Sequence, residues 1–210
     1  MQEQELEIAC PICTAEGNVK MIAHVTEIPY FGEHTQVTVF CDKCGWKQAD
    51  FIPAEGKKSE KWSLEISNDE HLSTRVVRSS SCTVRIPELD LEVNPGSSST
   101  GYVSNIEGVL NRFAEIIDMV TRQTLAEITA HSGSKTELSL EELNQHIVML
   151  AEMKARLFGI GNEGFVPFTL ELLDPRGHSQ ILHGEATERE LTDEEVAELP
   201  IGPDPAVLEQ

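Results

Sequence analysis

Cys10-Pro11-Ile12-Cys13 and Cys41-Asp42-Lys43-Cys44-Gly45-Trp46 are two Cys-x-x-Cys pairs separated by a strand-rich stretch. Each pair suits a tight turn that aims two sulfurs at one point, and two such turns together offer four thiolates in a tetrahedron. That donor set suits Zn²⁺, a d¹⁰ ion that imposes no other geometry. Gly45 follows the second pair, where such a turn favours φ > 0. An acidic start, Met1-Gln2-Glu3-Gln4-Glu5, has no basic secretory region and argues against disulfides; the lack of further clustered cysteines argues against an iron–sulfur centre. Cys10, Cys13, Cys41 and Cys44 are therefore expected to hold a structural zinc ion. A complete four-thiolate shell leaves no position for water or substrate, so the metal shapes a surface and does no chemistry.

Other reactive residues carry less. His24 and His34 fall in a strand and a turn and are not needed by a site that is already full. Cys82 lies among apolar neighbours and reads as a small core residue, with only His71 in sequence as a conceivable base. Gly159-Ile160-Gly161-Asn162-Glu163-Gly164 matches the G-x-G-x-x-G spacing, but it closes a helix and precedes a strand, the reverse of a dinucleotide site. With no Ser–His–acid order, open metal site or phosphate loop, the chain is not expected to be an enzyme.

The elements that must position the cysteines can be read from periodicity. Val19 to Phe40 reads as a hairpin, turning at Pro29-Tyr30-Phe31-Gly32-Glu33-His34, and would return Cys41 beside Cys10. Tyr30 and Phe31, adjacent aromatics at its tip, are either a contact site or packed on the neighbouring domain. Asp50 to Glu60 reads as a connection with strand at one end. Strands are expected at Trp62–Ile66, Arg75–Arg78 and Cys82–Ile86, and Ile86–Val93 alternates again. Ser104-Asn105-Ile106-Glu107 predicts a capping box and a helix to about His131; Ser139-Leu140-Glu141-Glu142 predicts a second helix to about Phe158. The two form an antiparallel hairpin, with Met149 and Met153 in its packing face. Phe168 to Leu182 is expected to be a β-hairpin around Asp174-Pro175-Arg176-Gly177.

The architecture expected is α+β and mostly β. A four-cysteine zinc ribbon over 1–50 precedes a β-sandwich-like domain over 51–183 that carries the helical hairpin at about 104–158. An acidic tail over 184–210 is expected to be solvated and partly disordered, with Thr192-Asp193-Glu194-Glu195 able to cap a short helix.

The 210 residues include 36 acidic and 16 basic side chains, a formal net charge of −20. Such a surface is repelled by phosphate backbones and anionic membranes, which disfavours nucleic acid and suits a basic patch on another protein. Lys57, Lys58, Lys61, Arg75, Arg78 and Arg85 are the candidates for a local basic face. No apolar run reaches membrane-spanning length. A lone fifth cysteine suits a reducing compartment, so a cytoplasmic protein is expected.

The order of Cys10-Pro11-Ile12-Cys13, Ile28-Pro29-Tyr30-Phe31, Cys41-Asp42-Lys43-Cys44-Gly45-Trp46, Arg85-Ile86-Pro87-Glu88-Leu89-Asp90, Ile106-Glu107-Gly108 and Asp174-Pro175-Arg176-Gly177-His178-Ser179 resembles the ZPR-one zinc-finger family. The resemblance runs from about Cys10 to Leu182, with His178 where the family often has Asn. It implies a four-cysteine finger followed by a β-sandwich-like domain with a helical hairpin. Eukaryotic members carry two such modules in tandem and assist the folding of translation elongation factor 1-alpha. This chain has one module, and the short, acidic form suits an archaeal member. The resemblance thus implies a zinc-dependent binding factor or chaperone for elongation factor 1-alpha. The other reading is a nucleic-acid-binding zinc ribbon of the translation or transcription machinery, which the charge counts against.

Overall fold

The computed structural model describes residues 2–29, 32–53, 58–130 and 139–200. The first unit is a four-stranded antiparallel sheet of β1 (Gln2–Leu6), β2 (Val19–Ile28), β3 (Gly32–Cys41) and β4 (Lys47–Pro53), in that spatial order. The expected hairpin is β2–β3, whose register pairs Val19 with Cys41 and so sets the second knuckle beside the first. β1 was hidden in an acidic run; its Glu3 and the Asp42 carboxylate lie 3.6 and 2.9 Å from Lys20 Nζ. Val19, Met21, Val37 and Val39 bury their side chains with Cys10 and Cys41 in a core of six residues. A core that small does not stabilise such a unit unaided, and a metal centre supplies the missing folding energy.

The second unit packs two sheets face to face. Its strands are β5 (Glu60–Ile66), β6 (Arg75–Arg78), β7 (Thr83–Ile86), β8 (Leu91–Val93), β9 (Tyr102–Asn105), β10 (Phe168–Asp174), β11 (Gln180–Leu182) and β12 (Thr187–Glu190). One sheet runs β12-β5-β10-β7-β8 and the other β11-β6-β9. Ile66, Val76, Ile86, Leu170, Leu172 and Ile181 fill the space between them, closed on one side by Ile106, Leu110 and Phe113. The helices are α1 (Ile106–Ala130), α2 (Leu140–Leu157) and α3 (Asp193–Glu198). None among the described residues is long and apolar enough to cross a membrane.

Several expectations are corrected. Phe168–Leu182 is not a hairpin: β10 pairs with β5 and β7, whereas β11 pairs with β6. The Asp174–Gly177 turn does form, with Gly177 N donating to Asp174 O at 3.1 Å, but it carries the chain from one sheet to the other. Ile86–Val93 is interrupted at Pro87–Leu89 by a 3₁₀ turn that ends on Asp90 in the left-handed region, leaving β8 as a short edge strand. α1 begins at Ile106, because Ser104 is committed to β9 opposite Val76; Asn105 is its cap, accepting from Gly108 N at 2.9 Å.

The Ser139 capping box holds as expected, as does a second box at Thr192. The two long helices run antiparallel, tied by Lys154 to Asp118 at 2.6 Å. Met153 packs on the core while Met149 is exposed, so the expected methionine face is split. Beyond residue 184, β12 pairs with β5 and Leu191 N donates to Ser59 O at 3.0 Å, so 187–198 is ordered where a solvated end was expected. Backbone pairing to a sheet edge needs no apolar pattern, which is why that strand was not visible in composition. Residues 201–210 lie outside the described residues.

Candidate metal centre

The two knuckles repeat one backbone design. Thr14 N donates to Cys10 O at 2.9 Å and Cys10 N to Ala15 O at 3.0 Å; Gly45 N donates to Cys41 O at 2.9 Å and Cys41 N to Trp46 O at 2.8 Å. The residue after each second cysteine is left-handed, Gly45 at φ 75° and Thr14 at φ 54°. Glycine adopts that conformation freely, whereas threonine is held there by the turn's hydrogen bonds. The first cysteine of each pair is buried, Cys13 is half-buried against the ribbon core and Cys44 is exposed.

All four sulfurs lie within 4.8 Å of one another. Cys10 and Cys44 sulfurs are 3.6 Å apart, and those of Cys13 and Cys41 are 3.7 Å apart. A regular tetrahedron with Zn–S bonds near 2.3 Å has edges of about 3.8 Å. The sulfur spacing therefore fits zinc, and all five cysteines of the chain are free of disulfides. Burial would raise the Cys10 thiol, but the N–H groups of Cys13 and Ile12 and the neighbouring thiols hold it down to about 6. The Trp46 N–H favours the Cys44 thiolate, yet desolvation and the other three sulfurs push it up to about 12. The cluster thus readily yields one thiolate and resists the last, until a dication balances the charge.

The remaining candidates separate cleanly. His24 lies on β2 and His34 is buried on β3, its Nδ1 3.2 Å from Gly32 O; neither joins the sulfur cluster. Tyr30 and Phe31 lie outside the described residues. Cys82 is fully buried, and burial followed by the Asp174 charge pushes its thiol up to about 12, as suits a core residue. Of the potential basic face, Lys61 and Arg85 both pair with Glu171 at 2.6 and 2.5 Å, Lys58 pairs with Glu190 at 3.0 Å, and Arg78 is buried. Lys57 lies outside the described residues.

A second grouping, His71, His183 and Glu185, brings ligand-type atoms within 4.8 Å. Ser67 N donates to His71 Nδ1 and Glu185 N to His183 Nδ1, both at 3.3 Å. Neutral rings held this way carry their proton on Nε2, and His71 Nε2 lies 3.3 Å from Glu185 Oε2. That is a hydrogen-bonded cluster rather than a ligand set, since metal-binding histidines donate from their second nitrogen.

Sequence reasoning missed the polar corner that joins the two units. Asp174, fully buried, accepts from Ser79, Ser81 and Ser179 Oγ at 2.7, 2.8 and 2.6 Å and from the N–H groups of Arg176 and His178 at 3.0 Å. It pins together the two places where the chain changes sheets, β6 to β7 and β10 to β11. Ser80, between the serines that hold Asp174, turns the other way to Asp50 of β4. The run Ser79-Ser80-Ser81 was the available signal, because three small hydroxyls between strands suit a buried polar turn.

The class follows: a four-cysteine zinc-finger unit fixed to a β-sandwich domain. Comparison with known proteins gives the same division. The ZPR1 zinc-finger domain matches residues 4–57 and the ZPR1 jelly-roll domain matches residues 70–198. A ZPR1-like protein of Methanocaldococcus jannaschii is 37% identical over 93% of this chain and 89% of its own length. One from Pyrococcus horikoshii is 34% identical over 95% and 83%. The zinc finger chaperone zpr1 of Schizosaccharomyces pombe is 31% identical over 85% of this chain, which covers 35% of that longer protein. The chain belongs to the ZPR1 family and carries one copy of each of these two domains.

Proposed function

We propose that this protein is a zinc-organised binding factor that assists translation elongation factor 1-alpha, acting by association and not by catalysis. The closed four-sulfur centre carries the reading: it leaves the metal no open position and fixes the shape of the ribbon. Membership of a family with a relative named a zinc finger chaperone supports a folding or binding role. The elongation factor is the partner implied by the resemblance. The charge of −20 would steer the chain to a basic, nucleic-acid-binding client at a rate that falls with salt. This reading takes the protein to be cytoplasmic, where reducing conditions keep its thiols available to zinc.

The test is a pull-down of the tagged, zinc-loaded protein from extract of its own cells at low salt, with and without GTP. Enrichment of elongation factor 1-alpha is expected. Its absence, with a different protein enriched, would overturn the partner; capture of RNA with a steep salt slope would favour the nucleic-acid reading instead.

A further inference from the structure

A cavity of about 290 Å³ opens between α1, the β7–β8 edge and the loop that precedes β9. Its lining combines apolar side chains, Val84, Val93, Phe113 and Ile116, with two cations, Arg78 and Arg112, the latter one turn before Ile116 on α1. Arg78 is only 6% exposed. Its guanidinium donates to Ser99 Oγ at 2.8 Å, Thr100 O at 3.3 Å and Cys82 O at 2.7 Å, while its Nε is buried without a hydrogen-bond partner. Arg112 lies over the Tyr102 ring at 4.1 Å, with the Arg78 guanidinium 5.8 Å from the same ring.

Among the described residues neither arginine has a carboxylate oxygen within 4 Å, in a chain with 36 acidic residues against 16 basic ones. Glu115 lines the same cavity, three residues from Arg112, and still does not pair with it. A buried guanidinium with no carboxylate beside it is costly and Arg78 keeps one donor, Nε, unpartnered, while the exposed Arg112 offers a planar donor fork that matches a carboxylate. The apolar part of the lining, Val84, Val93, Phe113 and Ile116, offers a seat for a hydrocarbon stem.

We infer that this cavity binds an organic carboxylate on an apolar stem, the anion between Arg78 and Arg112 and the stem along Phe113 and Ile116. The source is either a free small acid or the chain end of a peptide, which present the same group. The inference stands apart from the elongation-factor reading, and neither depends on the other.

Calorimetric titration of the zinc-loaded full chain with octanoate, octanol and inorganic phosphate tests it. Octanoate is expected to bind saturably at one site, at least about tenfold tighter than octanol, as charge-assisted hydrogen bonds require. Arg112→Gln, an exposed position, is expected to weaken octanoate about tenfold, and Ile116→Glu to abolish binding. Met149→Gln on the far helix should change nothing. A peptide with an apolar residue and a free terminal carboxylate, set against its amidated form, separates the two sources: tighter binding than octanoate points to a chain end, weaker binding to a free acid. Equal affinity for octanol, equal affinity for phosphate, indifference to Arg112→Gln, or no octanoate binding would each overturn the inference.

Discussion

Asp50 and Ser80 meet through two hydrogen bonds at the seam between ribbon and sandwich, Ser80 N to Oδ1 at 2.9 Å and Ser80 Oγ to Oδ2 at 2.5 Å. Both residues are buried, and Asp174 sits on the other side of the same serine run. The zinc unit is therefore docked on the corner where the sandwich strands change sheets. Ribbon and corner are one polar construction, in which each buried carboxylate is matched by donors.

Asp50→Ala should leave the Ser80 donors buried and unmatched, costing about 2–4 kcal/mol in urea unfolding. Asp174→Ala removes the acceptor for five donors and should cost more, or prevent folding. If Asp50→Ala proved the more damaging, the corner would not be the stronger anchor.

Gly101, in the loop just before β9, marks the same seam. Its N–H donates to Ala49 O at 2.9 Å, and an added Cβ would lie 2.6 Å from Asp50 Oδ1 and 3.2 Å from Arg78 O. Gly101→Ala should lower stability by about 1–3 kcal/mol and raise amide exchange along β4. Unchanged exchange there would mean that the ribbon does not depend on this contact.

How far the sequence could be read depends on the range of each interaction. The knuckles, the β2–β3 hairpin and the Ser139 and Thr192 boxes rest on residues a few positions apart, so spacing reveals them. Asp50 and Asp174 find partners 30 and 95 residues away, and a lone acid in sequence does not announce that. The Asp174–Gly177 turn could be read as a reversal, but not which sheet the chain enters next. Glu3 in β1 and Glu188 in β12 sit in strands held by backbone pairing to an edge, where polar side chains hide the period.

The clamp on that last strand gives a pH prediction. Arg189, then the Thr192 N–H, holds the Glu195 carboxyl down to about 2. A depressed carboxyl contributes stability that is present above its ordinary value near 4.5 and lost as pH falls towards 2. Amide protection over 187–190 should therefore be constant near neutrality and fall only in strong acid. In Glu195→Gln it should be low throughout. Protection that declines between pH 8 and 6 would contradict the clamp.

The thiols should differ in reactivity. After chelation of zinc, iodoacetamide should label Cys10, Cys13, Cys41 and Cys44, while Cys82, fully buried with its thiol pushed up to about 12, resists until global unfolding. Mass spectrometry after digestion would report the pattern. Labelling of Cys82 alongside the others would mean that its core opens locally.

Native mass spectrometry of the intact chain, for the wild type and Cys41→Ser, reads the zinc stoichiometry of the four-sulfur centre directly. One zinc per chain in the wild type and none in the variant is the result expected of a single four-sulfur centre. A metal-free wild type, or a variant that keeps its zinc, would contradict it.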